Sequence, residues 1–172
     1  ARNILVTNTP GVFTDDTADL AMSGIIGVPR RIREGVELIR SGRWTGWTPT
    51  ALLGTKLAGK VLGIVGMGRI GQAVAHRAHA FGLEIAYHNR KRLPEAVERM
   101  FKARWVEQLD DLMSEADILS LHCPAGPDTH HMIDARRIGL MKPNSHIIVI
   151  SRGNIVDEDA VAKAIQSGRI AG

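Results

Sequence analysis

The sequence predicts an α/β fold in which a doubly wound parallel sheet is covered by helices on both faces. Short apolar runs alternate with segments of helical periodicity from residue 60 onward. The first of these runs, Val61 to Val65, is continuously apolar, as expected for a strand buried on both faces of a sheet. The chain has 172 residues, of which 44% are hydrophobic, and this is enough for one such domain.

The strands and their connecting helices are predicted in order along this part of the chain. Strands are expected at 61–65, 84–88, 104–106, 117–122 and 146–150. Helices are expected at 69–81, 108–115, 134–141 and 157–167. Doubly wound connections give the strand order 3-2-1-4-5. A sixth strand is expected to begin at Ile170 and Ala171.

A long helix is predicted in the first part of the chain. The apolar residues 4–6 suggest a short strand, and residues 8–11 have the composition of a turn. Asp15 or Asp16 is expected to cap a helix whose apolar period continues to about residue 40. Pro29 predicts a bend within this helix, because proline removes a backbone donor.

Two tryptophans lie in an irregular segment after this helix. Ser41 and Gly42 end the helical pattern, and residues 43–50 contain Trp44 and Trp47. Because aromatic side chains usually supply buried area to their own domain, both are expected to pack against it. Contact with a partner is the alternative.

Charge and cysteine content narrow the class of protein. The chain has 22 Lys and Arg against 18 Asp and Glu, a net charge of +4 that is too small and too scattered to indicate nucleic-acid binding. No apolar run is long enough to span a bilayer. A single cysteine, Cys123, cannot form an internal disulfide and fits a reducing compartment, with the cytoplasm expected. The start at Ala1 without a leader suggests an internal piece of a longer protein.

A glycine-rich loop gives the strongest chemical signal. The pattern G-x-G-x-x-G occupies residues 66–71, directly after the first predicted strand and at the start of a predicted helix. In that context Gly66 permits a tight turn, Gly68 lets a pyrophosphate approach the backbone, and Gly71 lets the helix pack closely on the sheet. Free N–H groups at the helix start stabilise the phosphates. The sequence therefore predicts a dinucleotide-binding (Rossmann) domain.

The end of the second predicted strand indicates which dinucleotide binds. An NAD-binding domain usually places an acidic residue there for the ribose hydroxyls, but no carboxylate lies between Glu84 and Glu95. The segment instead contains His88 and Asn89 followed by the three basic residues 90–92. Because Arg90 and Lys91 can neutralise a 2′-phosphate, NADP(H) is the preferred cofactor, with NAD(H) as the alternative.

Four ordered motifs resemble the D-isomer-specific 2-hydroxyacid dehydrogenase family, most closely its glyoxylate/hydroxypyruvate reductase branch. They are NTPG with TADL at 8–20, the glycine loop, LHCP with Thr129 at 121–129, and SRG with VD at 151–157. The resemblance implies that residues 1–50 are the end of a substrate domain with an inter-domain helix. It implies that residues 51–172 are an incomplete nucleotide-binding domain, and that a homodimer forms through the helix of residues 15–40.

The implied reaction is hydride transfer from NAD(P)H to a small 2-oxo acid, glyoxylate or hydroxypyruvate. Arg152 matches the catalytic arginine of the family, and a guanidinium suits both a carboxylate and a carbonyl oxygen. A surface ion pair with Asp157 or Asp159 is the alternative role for Arg152. The histidine and glutamate that deliver the proton in this family are expected beyond Gly172, so the 172-residue chain is predicted to be inactive.

The resemblance places further residues at the cofactor. Arg69 and Ile70 are implied at the pyrophosphate, Ser151 beside the nicotinamide ribose, and the remainder around the cleft: Thr17, His122, Cys123, Pro124, Thr129 and Ile150. His76 and His79 lie three residues apart on a helix, but no third ligand is in view, so no metal site is predicted.

Other functions share the same fold. Dehydrogenases of 3-phosphoglycerate, D-lactate and formate use this domain, so the resemblance alone gives the substrate. A non-enzymatic NAD(H)-sensing module of the corepressor type is the alternative from another class, because fold does not determine function. Retention of Arg152 favours the enzyme.

Overall fold

The computed structural model describes residues 4–5 and 7–172 of the chain. Its strands are β1 (Val61–Val65), β2 (Glu84–His88), β3 (Ala103–Trp105), β4 (Ile118–Leu121) and β5 (His146–Val149). They form one parallel sheet in the order β3-β2-β1-β4-β5. This confirms both the predicted fold class and the predicted strand order.

Helices connect the strands and cover both faces of the sheet. The α-helices are α1 (Thr14–Gly27), α2 (Ile32–Arg40), α3 (Arg69–His79), α4 (Glu95–Met100), α5 (Leu109–Glu115), α6 (Ala135–Ile138) and α7 (Glu158–Gln166). Single 3-10 turns occupy Pro127–Thr129 and Gly153–Ile155. Helix α4 has no counterpart among the predicted elements, and α6 is shorter than the predicted 134–141.

The side chains of each strand enter two apolar cores, one on each face of the sheet, because successive side chains point to opposite faces. On one face, Leu62 and Ile64 of β1 pack with buried residues of α1 and α3. On the other face, Val65 packs with buried residues of α5, α6 and α7. Gly63 lies on this second face, where a Cβ atom would come within 2.9 Å of the Cβ of Ala116. Its missing side chain lets the end of α5 approach the sheet.

The predicted long helix is wrong in one respect, since two helices occupy its range. Helix α1 ends at Gly27 and α2 begins at Ile32. Pro29 lies between them, and Arg31 adopts a left-handed backbone conformation with φ of 56°. A proline without N–H followed by a left-handed residue ends a helix instead of bending it.

The predicted cap of the first helix is also wrong. Phe13 precedes α1, and no side-chain hydrogen bond caps this helix end. Asp15 and Asp16 lie inside the first turn, where carboxylates stabilise the positive end of the helix dipole. Asp15 and Asp19 also pair with Arg77 of α3, at 3.0 and 2.6 Å.

The expectation that the tryptophans pack against their own domain is wrong. Trp44 is 56% exposed and Trp47 is 81% exposed. No helix or strand includes Ile4 or Leu5, and Val6 lies outside the described residues, so the strand suggested for residues 4–6 is not seen where the structure describes it.

The outer edge of β5 is partly paired by the last residues of the chain. The Ala171 N–H donates to the Ser145 carbonyl at 2.9 Å, and the Ile147 N–H donates to the Gly172 carbonyl at 2.8 Å. These two bonds lie where the sixth strand is predicted.

Candidate coenzyme and substrate site

The carboxyl ends of four strands bring the candidate residues to one edge of the sheet. Val65 is paired in register with His88 of β2 and with Leu121 of β4, and Leu121 is paired with Val149 of β5. The loops that leave these strands therefore start side by side. In open parallel sheets this edge is where ligands bind.

The glycine loop is held by close backbone approaches. Gly66 has φ of 97°, and a Cβ atom on it would lie 2.6 Å from the backbone nitrogen of Cys123. A Cβ atom on Gly71 would lie 2.6 Å from the Gly66 carbonyl oxygen. A Cβ atom on Gly68, in contrast, would meet nothing within 4 Å. Two of the glycines are therefore required by the fold, whereas Gly68 borders open space.

The first turn of α3 faces that open space. Gly68 is the residue before the helix, and no side-chain hydrogen bond caps this end. Arg69 is exposed and makes no ion pair within the part of the chain that the structure describes. Ile70 packs against the α1 and α3 core. Uncapped N–H groups and a nearby guanidinium form a suitable environment for a phosphate.

Two residues predicted at the cofactor shape the loops around it. The Asn89 Oδ1 accepts a hydrogen bond from the Met67 N–H at 2.8 Å, which ties the glycine loop to the end of β2. The His88 Nδ1 lies 3.1 Å from the Val106 carbonyl oxygen. Both side chains are half-buried.

The three basic residues after β2 differ in their contacts with the rest of the protein. We call residues 89–93 the basic loop. Arg90 and Lys91 are exposed, and neither forms an ion pair with a described residue. Arg92 is bound to the buried carboxylate of Glu98 on α4, with an Nη2 to Oε2 distance of 2.8 Å. Glu98 is not predictable from the sequence, because α4 lacks a clear helical pattern of apolar residues.

The other end of the edge contains buried polar atoms without partners. His122 Nε2 lies 2.8 Å from Ser120 Oγ, whereas its Nδ1 and the Ser151 Oγ have no hydrogen-bond partner among the described residues. Burial lowers the pKa of His122 to about 4, so its imidazole is neutral at physiological pH. Burial raises the pKa of the Cys123 thiol, which therefore stays protonated.

The remaining predicted residues lie around the same edge. Thr129 Oγ1 accepts from the Gly126 N–H at 2.8 Å and donates to the Pro124 carbonyl at 3.0 Å, so this hydroxyl holds a turn. Ile150 contacts the α1 and α3 core. Thr17 is half-buried in the first half of α1.

Arg152 follows β5 and is exposed. Its Nη1 donates to the Ser151 carbonyl at 2.8 Å, and no carboxylate of the described residues pairs with it. Asp157 is occupied as the cap of α7, where its Oδ1 accepts from the Ala160 N–H at 3.0 Å. The structure shows no ion pair of Arg152 with Asp157 or Asp159, the alternative role considered for it, and the guanidinium is available to an anion.

The histidines of α3 do not form a cluster. The His79 Nε2 is hydrogen-bonded to the Phe101 carbonyl. Within residues 4–5 and 7–172, no group of three or more His, Cys, Asp or Glu side chains could hold a metal ion.

Comparison with known proteins identifies the family. The sequence model for "D-isomer specific 2-hydroxyacid dehydrogenase, NAD binding domain" matches residues 22–172. The chain belongs to this family. It is 50% identical over 99% of its length to a glyoxylate reductase of Thermococcus litoralis and 45% identical to one of Thermococcus gammatolerans. The crystal structure of a glyoxylate reductase from Paecilomyes thermophila superposes with a TM-score of 0.88 at 39% identity, covering 98% of this chain and 49% of that one.

The family's NAD-binding domain indicates a nicotinamide cofactor, and the geometry fits one. The open space at Gly68 suits a pyrophosphate, and the orphaned His122 Nδ1 and Ser151 Oγ are polar atoms that a bound molecule could satisfy. The chain spans 52% of the Thermococcus litoralis relative, about half its length. None of the described helices is both long and apolar enough to cross a membrane.

Proposed function

We propose that the full-length protein reduces a small 2-oxo acid, glyoxylate or hydroxypyruvate, with NADPH. The observation that carries the proposal is that Arg152, exposed and without an ion-pair partner among the described residues, lies on the same sheet edge as the glycine loop and the uncapped start of α3. That combination provides an anion site for the substrate beside an anion site for the coenzyme. The relatives described as glyoxylate reductases support the choice of substrate.

The coenzyme would be held by the glycine loop and by the ends of β4 and β5. Backbone N–H groups after Gly68, with Arg69 and Ile70, would bind the pyrophosphate. His122, as a neutral imidazole, and Ser151 would offer their unpaired atoms at the other end of the edge. When bound, NADPH supplies the hydride for the keto carbon.

Four further residues would complete the wall of the cleft. Thr17 and Ile150 would contact the coenzyme from α1 and from the end of β5. Cys123 and Pro124 would contact it through backbone atoms, because the Cys123 thiol stays protonated and unreactive. Thr129 would act by holding the turn that follows Pro124.

Preference for NADP(H) would come from the basic loop. Arg90 and Lys91 carry charges that no described acidic side chain neutralises. A 2′-phosphate on the adenosine ribose would pair with them, and no carboxylate in residues 85–94 would repel it.

Arg152 would bind the substrate carboxylate and stabilise the negative charge that develops on the carbonyl oxygen. Its planar guanidinium can donate to both groups at once. The histidine and glutamate that the family resemblance assigns to proton delivery would come from the part of the protein after Gly172. The residues before about 50 would then contribute the end of the substrate domain, and residues 51–172 the nucleotide-binding domain. A single thiol supports a reducing compartment, the cytoplasm.

The test is steady-state reduction of glyoxylate by the full-length protein with NADPH and with NADH. Arg152→Ala is expected to lower kcat/KM by the equivalent of about 3 kcal/mol or more, because charge on the oxygen loses its partner. Asp159→Asn, which changes an exposed charge on α7, is the control and should retain full activity. The 172-residue chain alone is expected to show no turnover.

Three results would contradict these proposals separately. Unchanged kcat/KM in Arg152→Ala would remove Arg152 from the mechanism. Absence of turnover with both glyoxylate and hydroxypyruvate would exclude the substrate class, and would favour the NAD(H)-sensing alternative if coenzyme still binds. An NADH affinity tenfold above that for NADPH would reject the coenzyme preference, since a tenfold ratio is about 1.4 kcal/mol.

We also propose a homodimer through the region of residues 15–40. Ile32, Val36 and Ile39 form one exposed apolar stripe on α2, a helix without a buried residue. Exposed patches of this kind mark interaction surfaces, and Trp44 and Trp47, which follow α2 in the chain, are exposed as well.

Sedimentation of the full-length protein tests the dimer. Val36→Glu is expected to shift the protein toward monomer, because it places a charge in the apolar stripe. Glu37→Gln, on the charged side of the same helix, should leave the assembly unchanged. An unchanged sedimentation coefficient in Val36→Glu would contradict the proposal.

A further inference from the structure

A buried carboxylate lies directly beneath the basic loop. Glu98 is 8% exposed and is the one acidic side chain that is buried among the described residues. One of its oxygens accepts from the Tyr87 hydroxyl at 2.7 Å and from the Arg92 Nε at 3.0 Å. The other accepts from the Arg92 Nη2 at 2.8 Å. Such a charge is tolerated in an interior only when it is paired and hydrogen-bonded, as Glu98 is.

Tyr87 joins this carboxylate to the backbone of the loop. The Tyr87 side chain is fully buried at the end of β2, and its hydroxyl oxygen also accepts a hydrogen bond from the Leu93 N–H at 2.9 Å. The Tyr87 hydroxyl therefore links the end of β2 to the backbone that leads into α4 and to Glu98 on that helix. The other end of the loop is fixed where Asn89 accepts from the glycine loop at 2.8 Å.

The guanidinium of Arg92 makes two kinds of contact within the protein. Its edge forms the two-point contact with Glu98, and its face lies 5.6 Å from the ring centroid of Trp105 on β3. Cation–π contact of this kind adds to the ion pair. Of the three basic residues, Arg90 and Lys91 make no such contact with a described residue and are free to meet a ligand.

The ionisation of this cluster is fixed across the physiological range. Hydrogen bonds from Arg92 and Tyr87 lower the pKa of Glu98 to about 2. Burial, together with the bond to Glu98, raises the pKa of Tyr87 to about 12. The hydroxyl donor and the carboxylate acceptor therefore both persist from mildly acidic to mildly alkaline solution.

We propose that Tyr87 and Glu98 are specificity-determining positioning residues, which hold the basic loop so that Arg90 and Lys91 meet the 2′-phosphate of NADP(H) while Arg92 serves as an anchor. This rests on the proposed coenzyme preference. NADH lacks the 2′-phosphate, so its binding does not depend on how these cations are held. Loss of the anchor lowers the affinity for one coenzyme and not for the other.

The experiment measures dissociation constants of NADPH and NADH for the full-length enzyme. Tyr87→Phe and Glu98→Gln are expected to raise the dissociation constant of NADPH by about tenfold, because the cations are no longer placed to bond the 2′-phosphate well. The dissociation constant of NADH should stay within about twofold of the wild-type value. Glu95→Gln is the matched control on the same helix, because it breaks the exposed Glu95–Arg99 pair. Its NADPH-to-NADH ratio should stay at the wild-type value.

A double-mutant comparison separates the anchor role of Arg92 from direct phosphate binding. If Arg92 acts through Glu98, Arg92→Gln and Glu98→Gln together should raise the NADPH constant no more than Glu98→Gln alone. A further rise of about tenfold in the double variant would place Arg92 on the phosphate and overturn the assignment.

The possible outcomes separate the positioning role of Tyr87 and Glu98 from the NADP(H) preference on which it rests. A wild-type enzyme without NADPH preference overturns both. A wild-type preference for NADPH that Tyr87→Phe and Glu98→Gln leave unchanged overturns only the positioning role. Equal loss of both coenzymes shows a general structural defect and overturns it too. If Glu98→Gln does not fold, Tyr87→Phe, which removes a single oxygen atom, decides the result.

Discussion

The two ends of the carboxyl edge differ in how their buried polar atoms are paired. Beneath the basic loop, the Glu98 carboxylate accepts three side-chain hydrogen bonds and the Tyr87 hydroxyl also receives the Leu93 N–H. At the ends of β4 and β5, the His122 Nδ1 and the Ser151 Oγ are buried without a described partner. The Glu98 carboxylate and the Tyr87 hydroxyl are thus paired within this chain, although the neighbouring Trp105 Nε1 has no described partner, whereas His122 and Ser151 each keep an unpaired atom.

This difference separates positioning from binding. A fully paired cluster contributes stability and holds its neighbours, so changing it should affect the fold of the loop. An unpaired buried polar atom costs free energy in the isolated protein and requires an explanation such as a ligand. Variants at the two ends should therefore divide between those that change stability and those that change only binding.

The largest effect is expected at Gly66, where the two ends meet in the glycine loop. Gly66→Ala introduces a Cβ atom 2.6 Å from the Cys123 nitrogen at a residue with φ of 97°. The atoms that this Cβ would meet belong to the backbone, so the loop must shift. We therefore expect the free energy of unfolding to fall by about 3 kcal/mol or more. Urea denaturation and coenzyme titration of the full-length protein measure the two effects, and coenzyme binding should also be lost.

Gly68→Ala is the matched control two residues away. Its Cβ atom would meet nothing within 4 Å and its φ is negative, so the urea midpoint should change little. Its coenzyme affinity should nevertheless fall, because the methyl group enters the space proposed for the pyrophosphate. Equal loss of stability in both variants, or full coenzyme affinity in Gly68→Ala, would contradict this interpretation of the loop.

Local patterns were sufficient to predict the sheet and the glycine loop. Continuous apolar runs such as 61–65 occur where both faces of a strand are buried, and G-x-G-x-x-G after such a run has a physical role at each glycine. The break between α1 and α2 was harder to predict, because proline bends some helices and ends others. Here the left-handed Arg31 completes the break.

Contacts between distant residues could not be predicted in the same way. Glu98 is eleven residues from Tyr87 and lies in a short helix that has no clear apolar period. Only the folded chain brings its carboxylate under the basic loop. Trp44 and Trp47 were misassigned for a related reason, since composition favours burial of aromatic residues but does not say which surface buries them.

The smallest change in stability is expected at Ser151, and it tests most directly whether the two ends differ in hydrogen-bond pairing. Ser151→Ala removes a buried hydroxyl that has no partner among the described residues, so the free energy of unfolding should stay constant or rise by up to about 1 kcal/mol. Tyr87→Phe removes a paired hydroxyl and should instead lower it by about 1 to 3 kcal/mol. If Ser151 binds the coenzyme, Ser151→Ala should also weaken NADPH and NADH equally, by about threefold to tenfold in titrations of the full-length protein. A Ser151→Ala variant that loses as much stability as Tyr87→Phe would mean that its hydroxyl is paired within the protein, and the contrast between the two ends would fail.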